Sequence, residues 1–139
     1  MEEIFNGFDP ELQFQTWNFP MVINGWVHKI TGSEFKVLWY ILRHTYGWQK
    51  ESDTISYSQF RFGIKKRDGK WVDKGTGLGV NTLKRAIAGL VKKGFIETIK
   101  ERNKEGEFQT TIYKPRFKNT IDPKTGGGLT VARKRIEQS

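Results

Sequence analysis

The side chains best equipped for chemistry lie within GLGVNTLKRAIAGLVKKG, residues 77 to 94. Asn81, Thr82, Lys84, Arg85, Lys92 and Lys93 are interleaved there with Val80, Leu83, Ala86, Ile87, Leu90 and Val91. On a 3.6-residue period that spacing closes an apolar face and leaves the polar set on the other side. An arginine fork matches the two acceptors on a guanine edge, an asparagine amide matches adenine, and a lysine ammonium pairs with phosphate. The same pattern also describes an amphipathic helix whose charges only face water, so the flanking segments must decide between the two.

Catalytic alternatives are poorly supplied. His28 and His44 are the only histidines, they fall in different predicted helices, and cysteine is absent. A metal site would need carboxylates in an arrangement that the scattered acids do not offer, and no serine has an evident partnered base. Gly75, Gly77 and Gly79 resemble a phosphate-binding loop ahead of a helix, but no Lys-Ser or Lys-Thr follows and no apolar strand directly precedes them. A DNA phosphate on those backbone N–H groups is the better expectation. The chain is read as a non-enzyme that needs no cofactor.

Charge points the same way. The net charge is +9, yet the residues before Lys29 hold Glu2, Glu3, Asp9 and Glu11 with no Lys or Arg, a charge of −4 that leaves +13 for the remainder. A positive field of that size on a small domain favours a polyanion, nucleic acid before an acidic membrane surface. No apolar run approaches a membrane span and the start is acidic and aromatic, unlike a secretion signal. With no cysteine to form disulfides, a cytoplasmic location is expected.

These side chains need a frame, and the 139 residues suit one domain with extensions. Residues 1–19 form an acidic aromatic arm with Ile4, Phe5, Phe8, Leu12, Phe14, Trp17 and Phe19 and no sustained period. It docks either on its own domain or on a partner. Pro20 opens a short helix with Val22, Ile23, Trp26, Val27 and Ile30 as apolar positions. Thr31 and Glu34 read as a capping box for the core helix, whose apolar set is Phe35, Leu38, Trp39, Ile41, Leu42 and Thr45, with Lys36, Arg43 and His44 expected in solvent. Thr54 to Ser56 suits a short edge strand, and Ser56 with Gln59 starts another helix presenting Tyr57, Phe60, Phe62 and Ile64.

Between that helix and residue 77 lies a long connection, KKRDGKWVDKGTG. Asp68-Gly69 predicts a turn whose flanks pair as a small ribbon, an added phosphate-contacting arm through Lys65, Lys66, Arg67 and Lys70. Phe95–Lys100 and Phe108–Tyr113 alternate as two strands, with Arg102 and Lys104 at the tip. Residues 116–139 form a basic flexible tail with the cluster Arg133-Lys-Arg135. The expected class is α+β: a winged helix-turn-helix over 20–115, with a helical core and a C-terminal β-hairpin wing.

Taken together, FPMVINGW, GSEFKVLWYILRHTYGWQK, ISYSQF and GTGLGVNTLKRAIAGLVKKGFIE resemble the winged-helix domain of bacteriophage and plasmid replication proteins of the replication protein O type, over about residues 17 to 100. The resemblance implies a DNA-binding fold that recognises an origin or operator in double-stranded DNA and recruits other proteins. Two departures stand out: Gly79 replaces the usual Ser or Thr, and the 65–77 connection is longer than a minimal version. Replication initiation and transcriptional control both fit this reading. The alternative is a non-catalytic interaction subunit docking within a larger nucleoprotein complex, with the 1–19 arm and the basic tail as its contacts to other replication or nucleoprotein-complex proteins. Half-site symmetry in a target would indicate a homodimer.

Overall fold

Thr31 starts the helix on which the rest packs. In the computed structural model, which describes residues 3–10, 16–102 and 108–117, the Glu34 amide donates to Thr31 Oγ1 (3.1 Å) and the Thr31 amide donates to Glu34 Oε1 (2.8 Å). This reciprocal box satisfies two otherwise orphaned N–H groups at the start of α1 (Gly32–His44). Val37, Leu38, Tyr40, Ile41 and Leu42 are buried along it. They meet Leu83, Ala86, Ile87 and Leu90 of α3 (Val80–Lys92) in one core with Ile23, Ile55, Phe60, Ile96 and Tyr113. Full burial of an aliphatic side chain contributes about 1.5–3 kcal/mol, so the apolar faces of α1 and α3 position everything else.

Between these helices come β1 (Asp53–Thr54) and α2 (Tyr57–Phe62), and after α3 come β4 (Ile96–Arg102) and β5 (Phe108–Pro115). The strand before α2 crosses to pair with the last strand, giving an antiparallel sheet in the order β1-β5-β4. A separate ribbon, β2 (Ile64–Lys65) against β3 (Trp71–Asp73), fills the α2–α3 connection. The domain is therefore α+β. Phe60 joins its layers, its ring centroid 5.5 Å from that of Tyr40 on α1 and 4.9 Å from that of Tyr113 on β5. Burial, with Tyr57 nearby, raises the Tyr113 hydroxyl pKa to about 12.

Three expectations need correction. The segment after Pro20 is two 3₁₀ turns, Met21–Gly25 and Val27–Lys29, and buries only Ile23; Met21, Val22, Trp26 and Val27 are exposed. Gly25 interrupts any longer helix there. Of the four apolar residues assigned to the second helix only Phe60 is buried, because α2 has six residues, less than two turns. Ser56 Oγ accepts from the Gln59 amide (3.0 Å), so that cap is real. Third, Val80 and Val91 flank the buried face of α3 and are exposed.

Candidate nucleic-acid interface

The outward stripe of α3 runs through Asn81, Lys84, Arg85, Ala88 and Lys92, all exposed and spaced at three, four and seven residues. Thr82 is half-buried on its flank. Gly79 occupies the N-cap with no side-chain hydrogen bond, so the first-turn amides add positive potential beside Asn81. Lys84 Nζ stands 5.9 Å from the Tyr57 ring centroid, which holds the ammonium at the α2–α3 junction. Lys84, Arg85 and Lys92 make no ion pair among the described residues. The helix ends in a Schellman closure, the Phe95 amide donating to Leu90 O (2.9 Å) and the Gly94 amide to Val91 O (3.1 Å).

Lys93 does not belong with this stripe. Its Nζ lies 2.6 Å from Oε1 of Glu34, a carboxylate 7 % exposed that also caps α1. One turn earlier, a Cβ on Gly89 would fall on the same carboxylate, so glycine is what lets α3 approach α1 there. Burial pushes the Glu34 pKa up, but the Lys93 ammonium and the Thr31 donors outweigh it, and the net shift is downward from 4.5. A lowered folded-state pKa stabilises above the unfolded value and ceases to as pH falls through the folded one. Glu34→Ala is accordingly expected to cost about 2 kcal/mol at neutral pH, with the gap to the wild type closing below pH 4.5, as read from urea unfolding across that range.

The hairpin resolves the mixed charge of its sequence. Thr98 pairs with Tyr113 and Lys100 with Thr111, so the side of β4 that shares a face with the core-directed Tyr113 carries Thr98, Lys100 and, toward the tip, Arg102. Glu97, Ile99 and Glu101 take the opposite face. Lys104 lies outside the described residues. Period-two alternation was the available signal for Lys100, which the reading by overall tip charge missed. Lys100 also lines a cleft of about 340 Å³ with Thr54, Ser56, Tyr57, Thr110 and Thr111, between the sheet and the start of α2. Five of those six residues contribute hydroxyls and none is acidic. Through Tyr57 the cleft adjoins Lys84 of α3.

Lys65, Lys66, Arg67 and Lys70 are exposed on the β2–β3 ribbon, which forms around the predicted Asp68-Gly69 turn. The turn is tied by the Lys66 amide donating to Lys70 O (2.8 Å) and the Lys70 amide to Asp68 Oδ1 (2.8 Å). At its base Asp73 holds the ribbon to the body: Oδ2 is 2.9 Å from His44 Nε2, and Oδ1 accepts from the Gly75 amide (2.9 Å). His44 was expected in solvent and is instead 4 % exposed. It stands one turn beyond Tyr40 and two beyond Lys36 on the side of α1 that the 73–76 segment meets; Lys36 itself stays exposed, as expected, with Nζ donating to Thr76 O (3.3 Å). Arg43, also assigned to solvent, lies half-buried with its guanidinium 5.8 Å from the Trp17 ring and 5.2 Å from the Trp48 ring.

The loop part of the glycine run, residues 75 to 78, engages its amides within the fold. Thr76 and Gly77 amides donate to Phe60 O (2.7 Å) and Arg61 O (3.1 Å), and the Leu78 amide to Thr76 Oγ1 (3.3 Å). With Gly75 committed to Asp73, the amides of residues 75 to 78 are already in use, and the amides at the uncapped start of α3 are what remains for an anion. At the amino terminus, Trp17 and Phe19 pack on the core, Phe19 stacking on Phe35 at 6.1 Å, whereas Ile4, Phe5 and Phe8 are 66–86 % exposed. The 133–135 cluster lies outside the described residues. No helix among the described residues is long and apolar enough to cross a membrane. Comparison with known proteins finds no matching family model, no similar curated protein and no similar solved structure.

Proposed function

We propose that this chain is a winged helix-turn-helix protein that binds double-stranded DNA, with α3 in the major groove and the β4–β5 hairpin as the wing, serving replication initiation or transcriptional control in a phage or plasmid. The observation that carries the reading is the outward stripe Asn81-Lys84-Arg85-Lys92, set beside a strand face bearing Lys100 and Arg102. Ala88 at the centre of the stripe leaves room for close approach to base edges. The order α1-β1-α2-α3-β4-β5, with β1 pairing the last strand, supports the winged-helix assignment. Asn81, Thr82 and Arg85 read base edges; Lys84 and Lys92 with the hydroxyl cleft hold phosphates.

Gel-shift titration at two salt concentrations tests it. Arg85→Ala loses about 1–3 kcal/mol on one base position of the selected site, while Lys84→Ala weakens every sequence alike and lowers the salt slope by about one. Equal loss on all sequences for Arg85→Ala would refute base reading by that side chain. A second reading has its own support. The exposure of Ile4, Phe5 and Phe8 beside Glu3 and Asp9 fits an arm that docks on another protein of a nucleoprotein complex, with the winged helix as a non-catalytic interaction subunit. Failure of the purified protein to shift any duplex at moderate salt would favour that reading.

A further inference from the structure

The β2–β3 ribbon carries more than phosphate contacts require. Trp71 is 45 % exposed on it, and Lys65, its cross-strand partner, places Nζ 5.5 Å from the ring centroid. Lys66, Arg67, Lys70 and Lys74 are exposed around this pair, and none of the five cations makes an ion pair among the described residues. Both acids of the ribbon are engaged locally, Asp68 by the Lys70 amide and Asp73 by His44 and the Gly75 amide. The register shifts between Ile64 and Lys65, so Asp73 lies with Ile64 on the face turned to the body, and Trp71 lies with its partner Lys65 on the other face. Anchoring of the inner face through Asp73 therefore leaves the indole directed outward.

We infer that this ribbon binds an unpaired nucleic-acid strand, with Trp71 stacking on a base and the surrounding Lys and Arg side chains tracking the backbone. In a duplex the base faces are covered by their neighbours, so an exposed indole finds no stacking partner there. In a single strand every base offers one, and a cationic surround supplies the rest of the affinity. An indole that meets a lysine ammonium on one face keeps its other face available, and the ammonium adds positive charge beside the stacking surface. This inference does not depend on duplex reading by α3, which uses different side chains.

Fluorescence anisotropy of labelled oligo(dT) and oligo(U) with the full chain tests it, alongside a duplex of equal length. Trp71→Ala is expected to weaken single-strand binding about tenfold, Trp71→Phe to restore most of it, and both to leave duplex affinity within about twofold. Thermal melting of each variant establishes that the fold is retained, and Trp71→Phe carries the comparison if the alanine variant melts early. The inference is overturned if the wild type binds neither oligonucleotide, if Trp71→Ala binds them as tightly as the wild type, or if single strand and duplex lose affinity equally.

Discussion

Gly63→Ala is expected to lower stability by about 2–6 kcal/mol. Gly63 ends α2 at φ 87° and ψ −162°, a region that is essentially closed to residues with a Cβ, and that conformation alone costs about 1–3 kcal/mol. The added carbon would also fall on the Asp73 carbonyl and the Lys74 Cα, which are backbone atoms held in place by the Asp73 contacts to His44 and Gly75. Relief requires moving the ribbon base away from α2, adding a second loss of about 1–3 kcal/mol. Urea unfolding reads this as a lower midpoint at unchanged slope. Gly69→Ala serves as the control: it also has a positive φ, 89°, at the ribbon tip but open space around the Cβ, so it reports the cost of a positive φ without the backbone collision. Similar losses for the two would contradict the close packing of β3 against Gly63.

The double variant Lys84→Glu/Arg85→Glu is expected to do the reverse, leaving the fold intact and removing duplex binding. Both side chains are exposed, so the change in stability stays within about 0.5 kcal/mol per site. Under the proposed reading, Arg85 supplies about 1–3 kcal/mol at one base pair and Lys84 one phosphate contact. Replacing both by carboxylates deletes these contacts and sets two negative charges against the backbone. The combined weakening is at least about a hundredfold at moderate salt. A titration at several salt concentrations checks it, with the reversed protein showing a shallower slope. Undiminished duplex binding by a normally melting variant would move the interface away from α3.

Both long helices were legible because their ends are written locally. The Thr31–Glu34 box and the glycines at 79 and 94 bound helices whose apolar spacing repeats for more than three turns. The ribbon was legible from Asp68-Gly69 for the same local reason. What escaped was set by distance along the chain. His44 sits at the edge of the α1 stripe, and its burial comes from Asp73, 29 residues away. Lys93 is beside Lys92 in sequence, but its partner Glu34 is 59 residues distant. A helical wheel places both lysines among the polar positions and has no means of knowing that Gly89 draws one flank of α3 onto α1. The glycine run was legible only in part for a related reason: its spacing fits an anion cradle, and only the fold reveals that Phe60 and Arg61 already use the Thr76 and Gly77 amides.

The two-signed hairpin has a consequence for encounter as well as for contact. Under the proposed reading, Lys100 and Arg102 turn one way and Glu101 the other, Glu97 being paired with Lys114 on that second side, so a nearby polyanion would exert a torque on the molecule before any surfaces touch. Tumbling would then be biased so that arrivals in the wrong pose are turned away and the productive pose is favoured in advance. On that reading the side of β4 bearing Glu101 acts as a rudder, governing how quickly the protein finds its orientation and contributing little to how tightly it is held.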